Sequence, residues 1–187
     1  MEFQHVNIKI PVEGDLTIAT EEFVPVFHQW IRENTLNELM IDVADYRHVV
    51  DGPSVLLVGH ESDYVFDQTE GIPGLLYNRK AGVEGDNAAR FSAAMKAAVN
   101  VCLLLEQEFE NSKPLKFSRS TFEVIINDRA IAPNTEETLA AFRSEFEPFL
   151  QSDLGVSSFE LVHDAEPRKR FRVTVQCGTP LDFEKLS

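Results

Sequence analysis

The chain has 187 residues, of which 43% are apolar and 26% charged; seventeen basic against thirty-one acidic side chains give a net charge of −14. That balance argues against nucleic acid, which needs a basic face to neutralise phosphates, and against anionic membrane surfaces. The two cysteines, Cys102 and Cys177, make neither a CxxC motif nor a disulfide framework.

The length suits a single α+β domain over residues 1–187, large enough to bury a core without staples. Fourteen Phe stand against three Tyr and one Trp. Phe has no polar tip, so most of these rings are expected inside. The N-terminal MEFQHVNIKIPVEGD lacks a basic region followed by an apolar core, so it does not read as a signal peptide. The apolar run 97–105 is too short to span a bilayer. The expectation is a soluble, cytoplasmic protein.

In chain order, His5–Val12 alternates apolar and polar residues, the period of a half-buried strand. Residues 21–34 place Phe23, Phe27 and Trp30 at helical spacing, with Pro25 in the first turn. Residues 38–50 read as a strand, and 54–60 as another that continues toward Phe66. A shorter strand follows at 74–79. The clearest helix covers 86–110, capped by Asp86 or Asn87, with Phe91, Met95, Ala98, Cys102, Leu105 and Phe109 on one face. FEVIIN (122–127) is a strand. Asn134 with Glu137 three residues on marks a helix start, and Leu139, Phe142, Phe146 and Leu150 form its buried stripe. SSFELVHD and RFRVTVQ close the chain as two strands. The order β-α-β-β-(β)-α-β-α-β-β predicts a mixed, largely antiparallel sheet of about 6–8 strands with three helices. The unit β-α-β-β occurs at 5–60 and again at 122–176, a faint internal duplication.

The segment DYRHVVDGPSVLLVGHESDYVFD (45–67) crowds titratable and aromatic groups beside an apolar run. Read as a hairpin with Asp51-Gly52-Pro53-Ser54 as the loop, it sets Asp45 opposite His60, Arg47 opposite Val58 and Tyr46 over Gly59. Tyr64 then lies on the face of His60. A carboxylate beside an imidazole favours and orients the charged ring, the raw material of acid–base chemistry. The candidate catalytic residues are therefore His60, Asp45 and Tyr64. The same pair is equally a polar cross-strand contact at a wet hairpin end.

Arg47, Tyr77, Arg79 and Lys80 are candidate ligand-binding residues. GLLYNRK ends an apolar strand with two cations in an acidic chain, and Tyr77 falls opposite Tyr64 if 68–73 closes a hairpin. Asn127, Asp128 and Arg129 lie at a strand end before a helix. EPRKR (166–170) is the only dense basic cluster and reads as a solvated turn. His48, His60, Glu61 and Asp63 match no metal-ligand spacing, and no cofactor, phosphate-loop or hydrolase motif is present. The expected function is a small-ligand-binding or regulatory module with a polar concavity lined from 45–80. The alternatives are a cofactor-free enzyme using His60 and Asp45, and a protein–protein interaction domain. The expected partner is a small molecule or a protein, and a homo-oligomer stays open.

Overall fold

Val6, Ile8 and Ile10 alternate with Asn7 and Lys9 along β1 (Val6–Pro11), so one strand carries an apolar face and a polar face. The rest of the architecture follows from covering the first face. The computed structural model describes residues 1–50 and 52–187. After β1 come α1 (Phe23–Glu33), β2 (Met40–Asp45), β3 (Pro53–Gly59), β4 (Ser62–Asp67) and β5 (Gly74–Arg79). The long α2 (Asn87–Phe109) leads to β6 (Thr121–Ile126), α3 (Glu136–Ser152), β7 (Phe159–His163), β8 (Phe171–Cys177) and a last turn, α4 (Phe183–Leu186).

The fold is α+β. Eight strands form one sheet in the order β2-β3-β4-β5-β1-β6-β8-β7. Every pairing between these strands is antiparallel, so the sheet is not mixed. The topology repeats one unit unequally. In each half a strand is followed by a helix and then by a meander that returns to pair with that strand. The first meander has four strands, β2 to β5, and the second has two, β7 and β8. β1 and β6, the opening strands, pair with each other at the centre. The repeat expected at 5–60 therefore needs β4 and β5 to complete it.

The helices cover one face. α1 lies against β2 and β3, α2 against β1 and β5, and α3 against α2. Thirteen of the fourteen Phe are buried there, which suits a side chain with nothing polar to satisfy. Phe91 of α2 sits within 5.0–6.1 Å, centroid to centroid, of Phe3, Phe142, Phe146 and Phe149. Phe23 stacks on Phe66 at 3.9 Å. Both cysteines are buried and free. Burial pushes the Cys102 thiol well up and the Cys177 thiol to about 11, so both are unreactive.

α2 is longer and more apolar than the 97–105 run suggests. It has 23 residues and a mean hydropathy of 1.4 over its best window, enough by length and composition to cross a membrane. Here it is the core helix, and its buried Arg90 and Glu106 are both ion-paired within the protein. Asp86 caps it as expected, accepting the Ala89 N–H at 2.8 Å. Asp86→Ala is expected to lower stability by about 1 kcal/mol, read by urea denaturation. α3 differs from expectation by one residue: Thr135, not Asn134, takes the Thr138 N–H. The Asn134 side chain is drawn away to the carbonyls of Asp164 and Glu166.

Among the described residues no helix packs on the second face of the sheet, which is stabilised as a polar ladder. Lys9 pairs with Asp67 at 2.6 Å, both nearly inaccessible. Asn7 donates to Asn78, and Lys80 pairs with Asp63. Arg172 lies 3.8 Å from Glu123 and 2.6 Å from Glu70. Charged groups replace a covering layer here, since an antiparallel sheet can leave one face to solvent.

Candidate functional site

The hairpin register differs from the expected one by five residues. Asp45 pairs with Val55 and Val43 with Leu57, and a bulge between Met40 and Asp42 adds one more residue, setting Met40 opposite Gly59. β2 ends at Asp45 and β3 begins at Pro53, so Pro53 and Ser54 already lie in the strand; Asp51, placed in the turn by its composition, lies outside the described residues. This odd slip turns the side chains of 42–45 to the opposite face. The reason is the core. Leu57 and Val55 are fully buried, and the expected register would set the His48 imidazole against Leu57. The observed one supplies Val43. Met40, rather than Tyr46, fills the space above Gly59, its methyl 2.5 Å from where a Cβ would sit.

The Asp45–His60 pair therefore does not form. Asp45 is at one end of the hairpin and His60 in the turn at the other, separated by roughly 17 Å of strand. That turn is also new: β3 does not run on toward Phe66 but reverses at His60-Glu61 into β4. His60 is exposed there and only its backbone is engaged, donating to Leu39 O at 2.8 Å. Asp45 instead holds Arg47 at 2.6 Å. The Arg47 side chain and backbone N–H hold its carboxyl down to about 2. Arg47 also reaches Glu21, and Lys80 is committed to Asp63 and to Gly59 O. Neither cation joins the site below.

Three of the expected residues do come together. Tyr64 of β4 and Tyr77 of β5 are a cross-strand pair on the helix-covered face, with ring centroids 5.4 Å apart. Ser62 and Arg79 are the next pair on that face. Arg79 is steadied by Glu61 at 2.9 Å and by Ala81 O at 2.9 Å. The segment joining α1 to β2 brings in Glu38, whose Oε1 accepts the Tyr64 hydroxyl at 2.8 Å and also the Ser62 hydroxyl. The other oxygen, Oε2, is buried and has no donor among the described residues. It lies 3.4 Å from the position a Gly59 Cβ would take, so this glycine leaves room for the carboxylate.

Glu38, Glu61, Tyr64, Tyr77 and Arg79 line an open cavity of about 390 Å³ together with Lys96 and Asn100 of α2. Comparison with protein-family models, curated proteins and solved structures finds no match to this chain. The chemistry of the cavity is thus the remaining guide. Burial, then the neighbouring Glu38 carboxylate, pushes the Tyr64 hydroxyl far above its ordinary range. Burial also raises Tyr77. Both phenols stay protonated at neutral pH, and Tyr64 donates its hydrogen bond to Glu38. Among the described residues no three His, Cys, Asp or Glu side chains gather at metal-binding distance.

Glu38, Ser62, Lys96 and Asn100 escaped the sequence reading. Only Gly59, at the end of β3, carried a signal, since a strand glycine often marks close approach of another group. Glu38 reaches Tyr64 across twenty-six positions of chain, and nothing in its local pattern announces that contact.

Proposed function

We propose that the protein binds a small zwitterionic molecule in the cavity between β4, β5 and α2. The carrying observation is the buried Glu38 Oε2, which has no donor beside a carboxylate oxygen that already has two. Buried polar groups are normally satisfied, so a rotation of the Glu38 carboxylate that turns Oε2 toward the cavity favours a ligand ammonium or N–H group there. Lys96 lines the same cavity and suits the ligand's anionic end. The volume lies in the range of small-molecule sites.

The test is a thermal-shift screen of free amino acids and related zwitterions, followed by calorimetry on each hit. Glu38→Gln keeps the hydrogen-bond acceptor and removes the charge, and is expected to weaken a hit at least tenfold. Lys96→Gln, at an exposed position, is expected to weaken it several-fold without altering stability. A screen without hits, or hits indifferent to both replacements, refutes this reading.

A second reading rests on the free edge of β2. Ile41 of this strand is 57% exposed and Leu39, just before it, 65%, beside the exposed Asp42 and Asp45. An exposed edge strand is a template for pairing with another chain. Light scattering after size exclusion, on the parent and on Ile41→Lys, separates the two: a dimer abolished by the lysine supports strand pairing, and a monomer in both removes self-association.

A further inference from the structure

Two basic features that look solvated in the sequence meet in the fold. Arg129 follows β6, and Arg168, Lys169 and Arg170 form the β7–β8 turn. With Arg172 and Glu70 they line a cavity of about 250 Å³ beside the open face of the sheet. Five of the seventeen basic residues of a strongly acidic chain thus share one depression.

Their partners divide them. Lys169 is neutralised by Glu70 and Asp164, both at 2.9 Å, and Arg172 by Glu70 and Glu123. The other three guanidinium groups have no carboxylate partner among the described residues. Arg129 donates to the Arg168 carbonyl, and Arg170 to Asn127 Oδ1 at 3.2 Å. Burial, then the neighbouring Arg172 and Arg129, depresses Arg170, and the Asp67 carboxylate offsets this only in part.

The cluster is also held in place. Arg129 ties the loop after β6 to the turn, and Asn134 grips the same turn through the Asp164 and Glu166 carbonyls. Opposite, Glu70 projects from the β4–β5 loop on a left-handed backbone, φ +61°, a conformation that costs a non-glycine residue energy. That loop delivers one carboxylate to two of the five cations.

We infer that this cavity binds a small, multiply charged oxyanion of the phosphate type, with Glu70 as a tethered anion occupying part of the site. Forked guanidinium donors suit the paired oxygens of such a ligand. A bounded depression favours a small ion over a peptide. The acidic remainder of the surface repels an acidic protein. This site is separate from the Glu38 cavity and stands independently of its ligand.

The probe is inorganic pyrophosphate, titrated calorimetrically at low ionic strength with sodium chloride matched for ionic strength as control. One equivalent is expected to bind. Arg129→Gln/Arg168→Gln, at two exposed positions that leave the core untouched, is expected to weaken binding at least tenfold, as is Arg170→Gln. Glu70→Gln is expected to tighten it several-fold, because Lys169 and Arg172 lose their competitor. Circular dichroism checks that each variant is folded. Absence of binding by the parent overturns the inference. So does affinity that survives the exposed arginine pair or fails to rise in Glu70→Gln, and so does a response to a polyglutamate peptide without one to pyrophosphate.

Discussion

Lys9→Met is expected to destabilise the protein by about 3–5 kcal/mol, among the largest losses available to a single substitution on the open face of the sheet. Lys9 and Asp67 meet at 2.6 Å with 7% and 6% of their side chains accessible, so screening by water is slight. Taking away one partner of a buried ion pair leaves the other desolvated and uncompensated. Asp67 would keep only the Thr69 hydroxyl. Lys9→Met/Asp67→Leu is expected to recover most of the loss, because exchanging a whole buried pair for apolar residues is often close to neutral. Urea denaturation of the two variants measures both effects. A loss under about 1 kcal/mol for Lys9→Met would mean that water reaches the pair and that the ladder contributes little.

The second large effect concerns Glu106. Its carboxylate sits on the inner side of α2 and is 7% accessible. It accepts the Phe117 N–H at 2.8 Å and both terminal nitrogens of Arg119, at 2.7 and 2.8 Å. Arg119 in turn lies 3.8 Å over the Phe183 ring. One side chain thus fastens the 110–120 segment and the C-terminal turn to the core helix. Glu106→Ala is expected to lose about 3 kcal/mol, since it strands a buried N–H and a partly buried guanidinium.

The loss depends on pH. Burial alone would raise the Glu106 carboxyl, but the Arg119 and Phe117 hydrogen bonds outweigh it and hold the group below the usual glutamate range. A carboxylate depressed in the folded state stabilises above its unfolded pKa and ceases to do so as pH falls through the folded one. The stability gap between the parent and Glu106→Ala is therefore expected to be full at neutral pH and to close in acid. Denaturation curves of both proteins across that range check the sign. A gap that widened in acid would contradict the ion-pair account.

The elements most legible in the sequence were those whose pattern is long. α2 announces itself through six apolar positions on one face and an Asp cap, both of which the fold uses. The Tyr64–Tyr77 pairing was within reach because the short connection between β4 and β5 leaves little choice of register. The β2–β3 hairpin offered no such constraint. Its Gly-Pro step looks like a tight turn, yet the loop is longer, and the β3–β4 reversal at His60-Glu61 has little turn composition to mark it.

Composition, charge and periodicity by themselves determined that this chain is an acidic α+β protein with a phenylalanine-rich core, an antiparallel tendency and helices at the observed places. These properties are local, because each residue reports its own burial and its own period. Tertiary structure alone decided which charges meet. Leu57 demanded an apolar partner and so dissolved the Asp45–His60 pair. The crossing from α1 to β2 delivered Glu38 to Tyr64. The pairing of β6 with β8 carried Arg129 to the Arg168–Arg170 turn. Such encounters join residues far apart in the chain, and core packing sets the strand registers that bring them together.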